Sequence, residues 1–138
     1  MILIVGAMPE EVFALKKRMS EVTHVSEGLL SLVKGKLAKV EVLLALSGVG
    51  KVNAAMTVSQ ILSKHTFDAI INIGSAGGLK DAQKVGDLVL GTTLQYHDFD
   101  IGPETIKDPR FIFQSDPSLQ ASLLELLSKE KVSHHHGL

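Results

Sequence analysis

The chain contains no cysteine and no tryptophan, and few aromatic residues of any kind. Without cysteine it can form no disulfide and use no thiolate chemistry, which fits a reducing, cytoplasmic setting. Aromatic residues make up 4% of the sequence while hydrophobic residues make up 45%, so the core must be built from aliphatic side chains. The length of 138 residues suffices for one domain with a substantial core.

An excess of charge and long apolar runs are also missing. Fourteen basic residues against fifteen acidic ones give a net charge of -1, and no basic stripe is present, so binding of nucleic acid through its phosphates is not expected. The apolar runs are far too short to span a membrane. Apolar residues 1–6 have no basic region before them, unlike a signal peptide. The sequence therefore predicts a soluble, cytoplasmic, single-domain protein with neither nucleic acid nor membrane as a partner.

Three apolar segments of strand length end in loops of small residues. The segments cover residues 2–5, 39–46 and 69–74, and the loops cover residues 6–11, 47–51 and 74–78. Apolar runs of this kind are typical of strands buried on both faces of a sheet. Because ligands bind beyond the carboxyl ends of parallel strands, we expect the three loops to converge on one pocket.

Helical patterns alternate with these strands. Pro9 suits the first turn of a helix, apolar residues recur at helical spacing over residues 52–64, and Asp116 followed by Pro117 predicts the start of a third helix. Strands that alternate with helices predict an α/β fold with a substantially parallel sheet.

The remaining segments carry weaker patterns. We expect an antiparallel hairpin from residues 29–36 and 39–46, although Leu37 and Ala38 are poor turn residues. Three further predictions concern polar segments: an irregular stretch at 21–27, a long loop at 97–114, and a solvated helix end at His134, His135 and His136.

Two glycine-rich loops approach known motifs and fail on spacing. Residues 47–51 resemble a triphosphate-binding loop, but Ala45 and Val52 stand where that motif requires Gly and Ser or Thr. A hydrolase nucleophile elbow around Ser75 would need Gly at the position of Ile73. The loop that carries Ser75 therefore either orients a ligand with its amides and one hydroxyl, or is a structural turn.

Two adjacent carboxylates, Glu10 and Glu11, are tied to the first of these strand ends. Acidic residues at a helix N-terminus stabilise the helix by about 0.3–1 kcal/mol, which explains both without any catalysis. The alternative is that one of them faces the pocket and holds a water molecule.

His97, Asp98 and Asp100 resemble a metal cluster at first sight. One histidine with nearby acids is weak support, because no second histidine lies at ligand spacing. We expect these side chains to form hydrogen bonds, and we predict no metal site.

Five blocks of sequence together resemble the bacterial methylthioadenosine/S-adenosylhomocysteine nucleosidases of the purine nucleoside phosphorylase superfamily. The blocks are residues 6–11, 47–55, 71–78, 85–87 and 96–98, in order, within residues 1–101. The resemblance implies a three-layer α/β/α sandwich with a mixed, largely parallel sheet. It also implies hydrolysis of the N-glycosidic bond of methylthioadenosine, S-adenosylhomocysteine and usually 5′-deoxyadenosine, with release of adenine. No metal or organic cofactor is implied, and the expected assembly is a homodimer.

The resemblance assigns roles to individual residues. Glu11 would position and activate the attacking water, and Met8 would lie close to the ribose. Val49 and Ile101 match positions that reach across a dimer interface toward the partner's alkylthio pocket. The residues that would line the ribose and purine site are Ser75, Ala76 and Gly77.

Other functions remain open at this point. A purine nucleoside phosphorylase or another purine nucleosidase is one, although the phosphorylases carry an arginine near the N-terminus to hold phosphate and residues 8–11 contain none. A non-catalytic, truncated domain is the other.

Two departures from the family bear on activity. Residues 102–106 differ from the family's aromatic and glycine-rich segment, which affects the preference for the 5′ substituent. Family members also continue well beyond Leu138, and that later part supplies the acid that protonates adenine and the acidic residue that holds the ribose. We therefore expect residues 1–138 to be the N-terminal part of a single nucleosidase domain, with an incomplete sheet and no activity on its own.

Overall fold

The computed structural model describes residues 1–102 and 108–137, except for the side chain of His136. The chain divides into two compact units, Met1–Ala76 and Gly77–Leu138. Most of the 102–106 segment that departs from the family lies outside the described residues. The prediction of a single domain over residues 1–138 stays a prediction.

The first unit is a five-stranded mixed sheet with helices. Its strand order is β2-β3-β4-β1-β5. The elements, in chain order, are β1 (Ile2–Gly6), α1 (Pro9–Arg18), β2 (Ser20–Glu27), β3 (Leu30–Leu37), β4 (Val40–Leu46), α2 (Lys51–Leu62) and β5 (Ala69–Asn72).

The three apolar segments found in the sequence form three neighbouring parallel strands. β1 lies between β4 and β5 and runs parallel to both, with Ile4 opposite Leu44 on one side and Ile71 on the other. Backbone hydrogen bonds continue past the strand ends, from the Ser47 amide to the Gly6 carbonyl at 2.9 Å and from the Ile73 amide to the Val5 carbonyl at 2.9 Å. All three small-residue loops therefore leave the same edge of the sheet.

The two faces of this sheet are covered by different helices. Ile61 of α2 is fully buried with Leu3 and Leu32 on one face. Val12 of α1 is buried on the other face, in a cluster that includes Ile4. This layering of helix, mixed sheet and helix confirms the predicted α/β/α fold class.

The antiparallel part of the sheet contains one confirmed prediction and one error. β3 and β4 pair antiparallel as expected, and their turn places Ala38 and Lys39 at φ values of 46° and 77°. Residues 21–27, predicted to be irregular, belong to strand β2. Because β2 is an edge strand whose side chains are mostly exposed, it lacks the apolar alternation by which strands are recognised.

The described residues of the second unit form two small strand pairs and one α-helix. β6 (Leu88–Gly91) runs parallel to β9 (His134–Gly137), and β7 (Thr93–Gln95) pairs antiparallel with β8 (Ile112–Gln114). A short 3-10 turn covers Pro109–Phe111, and α3 covers Pro117–Lys129.

The second unit confirms one prediction and corrects two. The Asp116 side chain accepts hydrogen bonds from the amides of Ser118 and Leu119, as expected of a helix cap. The predicted long loop at 97–114 contains β8, and the histidine run forms a strand instead of a helix end. Both strands are short and depend on a partner distant in sequence, which a local pattern does not reveal.

Among the described residues, no helix combines the length and the apolar character needed to cross a membrane.

Candidate active site

The Glu11 carboxylate lies where the chain passes from β1 into α1. One of its oxygens, Oε2, accepts hydrogen bonds from the backbone amides of Ala7 at 2.9 Å and Met8 at 3.0 Å. Met8 is the N-cap of α1, so its amide is one that the helix leaves without a partner. Glu11 stands at the third helical position, where an acidic side chain can turn back to the cap amide.

The other oxygen of Glu11 is held by the loop after β5. Oε1 accepts a hydrogen bond from the Ser75 backbone amide at 2.8 Å and another from the Ser75 hydroxyl at 3.0 Å. One carboxylate thus connects the carboxyl ends of two adjacent parallel strands, and we call these four donors around Glu11 the carboxylate cradle. The cradle ties together two loops that the pairing of β1 with β5 brings side by side.

The cradle stabilises the ionised form of Glu11. The Ser75 backbone amide makes the largest contribution to lowering the pKa of Glu11, followed by the Met8 amide, and desolvation opposes them. The side chain is half-buried, and it lies at the positive end of the α1 dipole. Glu11 is therefore a carboxylate, not a carboxylic acid, at neutral pH.

An open cleft of about 420 Å³ lies beside the cradle. The residues that line it come from the loops after β1 and β5: Met8, Glu10, Glu11, Ile73, Gly74 and Ser75. Two carboxylates and no basic side chain stand in this lining, within the part of the chain that the structure describes. The cleft can accept a neutral or cationic group more readily than an anion.

The site residues predicted from the sequence divide into three groups, two in the first unit and one in the second. Met8, Glu11 and Ser75 lie together at the cleft. Val49 and Ala76 belong to the same unit and are exposed, but neither lines the cleft. The expected convergence of three loops is thus found for two of them.

Gly77 and Ile101 belong to the second unit. Gly77 has open space on the side where a side chain would stand, and Ile101 is 62% exposed. Their predicted roles stay predictions.

Two contributors to the site were not singled out by sequence reasoning. The Ala7 amide is one, and it could have been found from the position of Glu11 one turn into a helix. Gly74 is the other, and its closeness to Glu11 depends on a contact 63 positions away along the chain, for which the sequence carries no local signal.

The segment around His97, which resembles a metal cluster in the sequence, is described as far as residue 102. His97 Nδ1 lies 3.9 Å from Asp98 Oδ1. Over residues 1–102 and 108–137 the structure holds no group of three or more side chains arranged to ligate a metal.

Comparison with known proteins gives one family and a consistent set of relatives. The family model described as the phosphorylase superfamily matches residues 1–138. A 5′-methylthioadenosine/S-adenosylhomocysteine nucleosidase of Staphylococcus haemolyticus is 38% identical over 142 aligned positions, which cover 99% of this chain and 62% of the relative. The chain therefore spans less than two thirds of the length of the curated relatives it matches.

Solved structures of similar proteins agree in fold. The nucleosidase of Neisseria meningitidis in complex with methylthio-immucillin-A has a TM-score of 0.88 and 38% identity, covering 99% of this chain and 62% of that one. A protein of Borrelia burgdorferi bound to adenine, assigned provisionally as a nucleosidase of this type, has a TM-score of 0.90 and 30% identity. The match covers 100% of this chain and 64% of that one.

Proposed function

The chain belongs to the phosphorylase superfamily, and on that premise we propose that it forms part of a nucleosidase. The reaction is hydrolysis of the N-glycosidic bond of methylthioadenosine and S-adenosylhomocysteine, and of 5′-deoxyadenosine, with release of adenine. The names of the similar proteins support this substrate class. The observation that carries the proposal is the carboxylate cradle, which holds Glu11 ionised at the edge of an open cleft.

The chemistry of glycosidic cleavage suits such a carboxylate. As the bond from the anomeric carbon to adenine breaks, its electron pair leaves with the base and positive charge develops on the ribose. A fixed carboxylate beside that carbon favours the charge and orients a water molecule for addition to it. The proton that this water loses balances the one that the departing adenine takes up. Glu11 is the residue to which we assign this role.

A water molecule can bind the Glu11 carboxylate by replacing one of its four hydrogen-bond donors. Each oxygen already accepts two hydrogen bonds, so its favoured acceptor directions are occupied. Three of the four donors are backbone amides that cannot turn, while the Ser75 hydroxyl can rotate. We infer that this hydroxyl turns aside and that the water takes its place on Oε1.

The lining of the cleft favours water over phosphate as the attacking group. A phosphorylase must hold a phosphate anion at this point, and here Glu10 and Glu11 would repel it. Phosphorolysis is nevertheless the second candidate, because it is the reaction after which the superfamily is named.

The other residues take their proposed roles from the family resemblance. Met8 lies close to the ribose, and Ser75, Ala76 and Gly77 line the ribose and purine site. Val49 and Ile101 reach toward the alkylthio pocket of a partner in a homodimer. We propose no cofactor, a cytoplasmic location, and a single domain that includes residues 1–138.

Adenine release is the direct test. Methylthioadenosine is incubated with the protein in a form that extends beyond residue 138 as its relatives do, with and without phosphate, and free adenine is measured. We expect release that is independent of phosphate, and we expect residues 1–138 alone to release none. Release that requires phosphate would identify a phosphorylase, and no release from any 5′-modified adenosine would contradict the nucleosidase assignment.

A further inference from the structure

Gly74, in the loop after β5, lies beside the Glu11 carboxylate. A Cβ atom added to it would lie 3.0 Å from Glu11 Oε1, 3.4 Å from Cδ and 3.6 Å from Oε2. The first distance is tighter than most real Cβ contacts allow. Gly74 is not among the positive-φ glycines of this chain, so its backbone conformation does not require glycine. What disfavours a side chain at this position is the closeness of the Glu11 carboxylate, not the backbone conformation.

A Cβ atom added at other glycines would meet different surroundings. A Cβ on Gly6 would lie 2.5 Å from Val12 Cγ1, so Gly6 serves the packing of α1 on the sheet. Gly91 has no atom within 4 Å of its would-be Cβ and no positive φ, so it tolerates alanine. Gly74 instead meets the oxygens of the proposed water-binding carboxylate.

We infer that Gly74 is a positioning residue for Glu11. By lacking a side chain it lets Oε1 approach close enough to accept hydrogen bonds from both the amide and the hydroxyl of Ser75. This inference rests on the proposed function for its catalytic meaning, although the contact itself can be tested without any reaction.

A methyl group at this position would displace the Glu11 side chain, because that side chain can move more easily than the sheet. Glu11 Oε1 is at the flexible end of a side chain, so it can retreat by a few tenths of an ångström without moving the sheet. The hydrogen bonds from Ser75, at 2.8 and 3.0 Å, are already near their optimum and weaken as the carboxylate retreats. The substitution Gly74→Ala should therefore preserve the fold while displacing the carboxylate.

The first experiment is an NMR titration of the Glu11 carboxyl group in the wild-type chain and in Gly74→Ala. The Ser75 amide proton reports the same ionisation from the donor side. We expect the pKa of Glu11 to rise toward the ordinary glutamate value in Gly74→Ala, since the Ser75 amide is its main stabilising contact. The matched control is Gly91→Ala, which should leave the titration unchanged. An unchanged Glu11 titration in folded Gly74→Ala would overturn the inference.

A double-mutant cycle keeps the inference testable if Gly74→Ala folds poorly. The three atoms nearest to the added methyl group all belong to the Glu11 carboxylate, and the Glu11→Ala background removes all three. We expect Gly74→Ala to lower the midpoint of urea unfolding in the wild-type background and to have no effect in the Glu11→Ala background. Equal loss in both backgrounds, or failure to fold in both, would show that Glu11 is not the group in contact and would refute the inference.

Kinetics add the catalytic consequence. In the longer form of the protein, Gly74→Ala is expected to lower kcat about tenfold or more with little change in KM, because small misplacements of a catalytic group are known to be costly. An unchanged kcat together with a raised Glu11 pKa would show that the contact between Gly74 and Glu11 does not affect catalysis. No adenine release by the wild type would instead sink the proposed function, while the titration would still decide whether Gly74 positions Glu11.

Discussion

Four donors converge on the Glu11 carboxylate, and their number determines how this residue can act. The amide of Met8 belongs to the N-terminus of α1, and the amide and hydroxyl of Ser75 belong to the loop after β5. The same carboxylate therefore caps a helix and joins two strand ends. The two explanations that the sequence left open for an acidic residue here, helix stabilisation and water binding, are compatible in one side chain.

Removal of the Ser75 hydroxyl tests its share in the cradle. We expect Ser75→Ala to raise the pKa of Glu11, but less than Gly74→Ala does, because the larger contribution of the Ser75 amide remains. Since the folded-state pKa is lowered, the stability that Glu11 contributes is present above the unfolded-state pKa and is lost as the pH falls through the folded-state value. Carboxyl NMR titration of the variant checks this prediction, and a pKa that stays at the wild-type value would contradict it.

Asp87 provides a second pH-dependent contact, in the other unit. The Lys84 backbone amide, followed by the side chains of His135 and Ser133, lowers the pKa of Asp87 from 3.8 to about 2. Its stabilising contribution is therefore complete above the ordinary pKa of 3.8 and is lost as the pH falls from there through about 2. His135 lies in β9 and donates to Asp87 at 2.8 Å, so the contact supports the β6–β9 pair.

Hydrogen exchange of the β6 amides tests this contact. In the wild type we expect the β6 amides to lose protection as the pH falls through the folded-state pKa of Asp87. We expect Asp87→Asn to speed their exchange at neutral pH and to abolish that additional loss in acid. Asp81→Asn, at an exposed position in the preceding turn, is the control and should behave as wild type. Equal exchange rates in wild type and Asp87→Asn would show that the contact does not hold the strand pair together.

At the scale of elements, the β3–β4 hairpin carries a strained turn. Ala38 and Lys39 both adopt positive φ, which is unfavourable for residues other than glycine and asparagine. Replacement by Ala38→Asn and Lys39→Gly should raise the free energy of unfolding by about 1 kcal/mol. Gly28, at φ +63° in the β2–β3 turn, offers the reverse test, and Gly28→Ala should lower it. Urea denaturation measures both changes, and changes of the same sign would refute the argument.

Leucines in and outside the aliphatic core of the first unit should differ in their contribution to stability. Leu32 is 0% exposed in β3, while Leu29, just before the same strand, is 98% exposed. The same substitution at the two positions should therefore differ in effect: Leu32→Ala should lower the free energy of unfolding by about 2–5 kcal/mol, and Leu29→Ala by less than about 0.5 kcal/mol. Similar losses at both positions would contradict the burial described here.

The strands differ in whether their sequences predict them. β1 and β4 were predictable because strands in the middle of a sheet are apolar throughout. β5 lies at an edge but was predictable too, because residues 69–74 carry the same apolar run. β2 was not, because an edge strand with exposed side chains needs no apolar pattern. β9 was missed for a related reason, since its histidines are polar and its pairing with β6 joins residues about 45 positions apart.

At the scale of the whole molecule, the sequence indicated the fold class and the family more completely than the site. Apolar strands followed by small loops led to the parallel arrangement that the first unit shows. The site depends on contacts between the two ends of that unit, such as Ser75 with Glu11. Pattern alone could not choose between Glu10 and Glu11, and nothing in the sequence pointed to the contact made by Gly74.

The central claim is that the cradled carboxylate of Glu11, in a chain of the phosphorylase superfamily, activates water for nucleoside hydrolysis. The most direct test compares adenine release from methylthioadenosine, in the absence of phosphate, by the wild-type protein, Glu11→Gln and Glu10→Gln, each in a form that extends beyond residue 138. Glu11→Gln removes the charge and sets an amide group against donors, so activity should fall by about 10²–10⁴-fold, while Glu10→Gln retains most of it. Comparable activity in Glu11→Gln and the wild type, or a larger loss in Glu10→Gln, would contradict the claim.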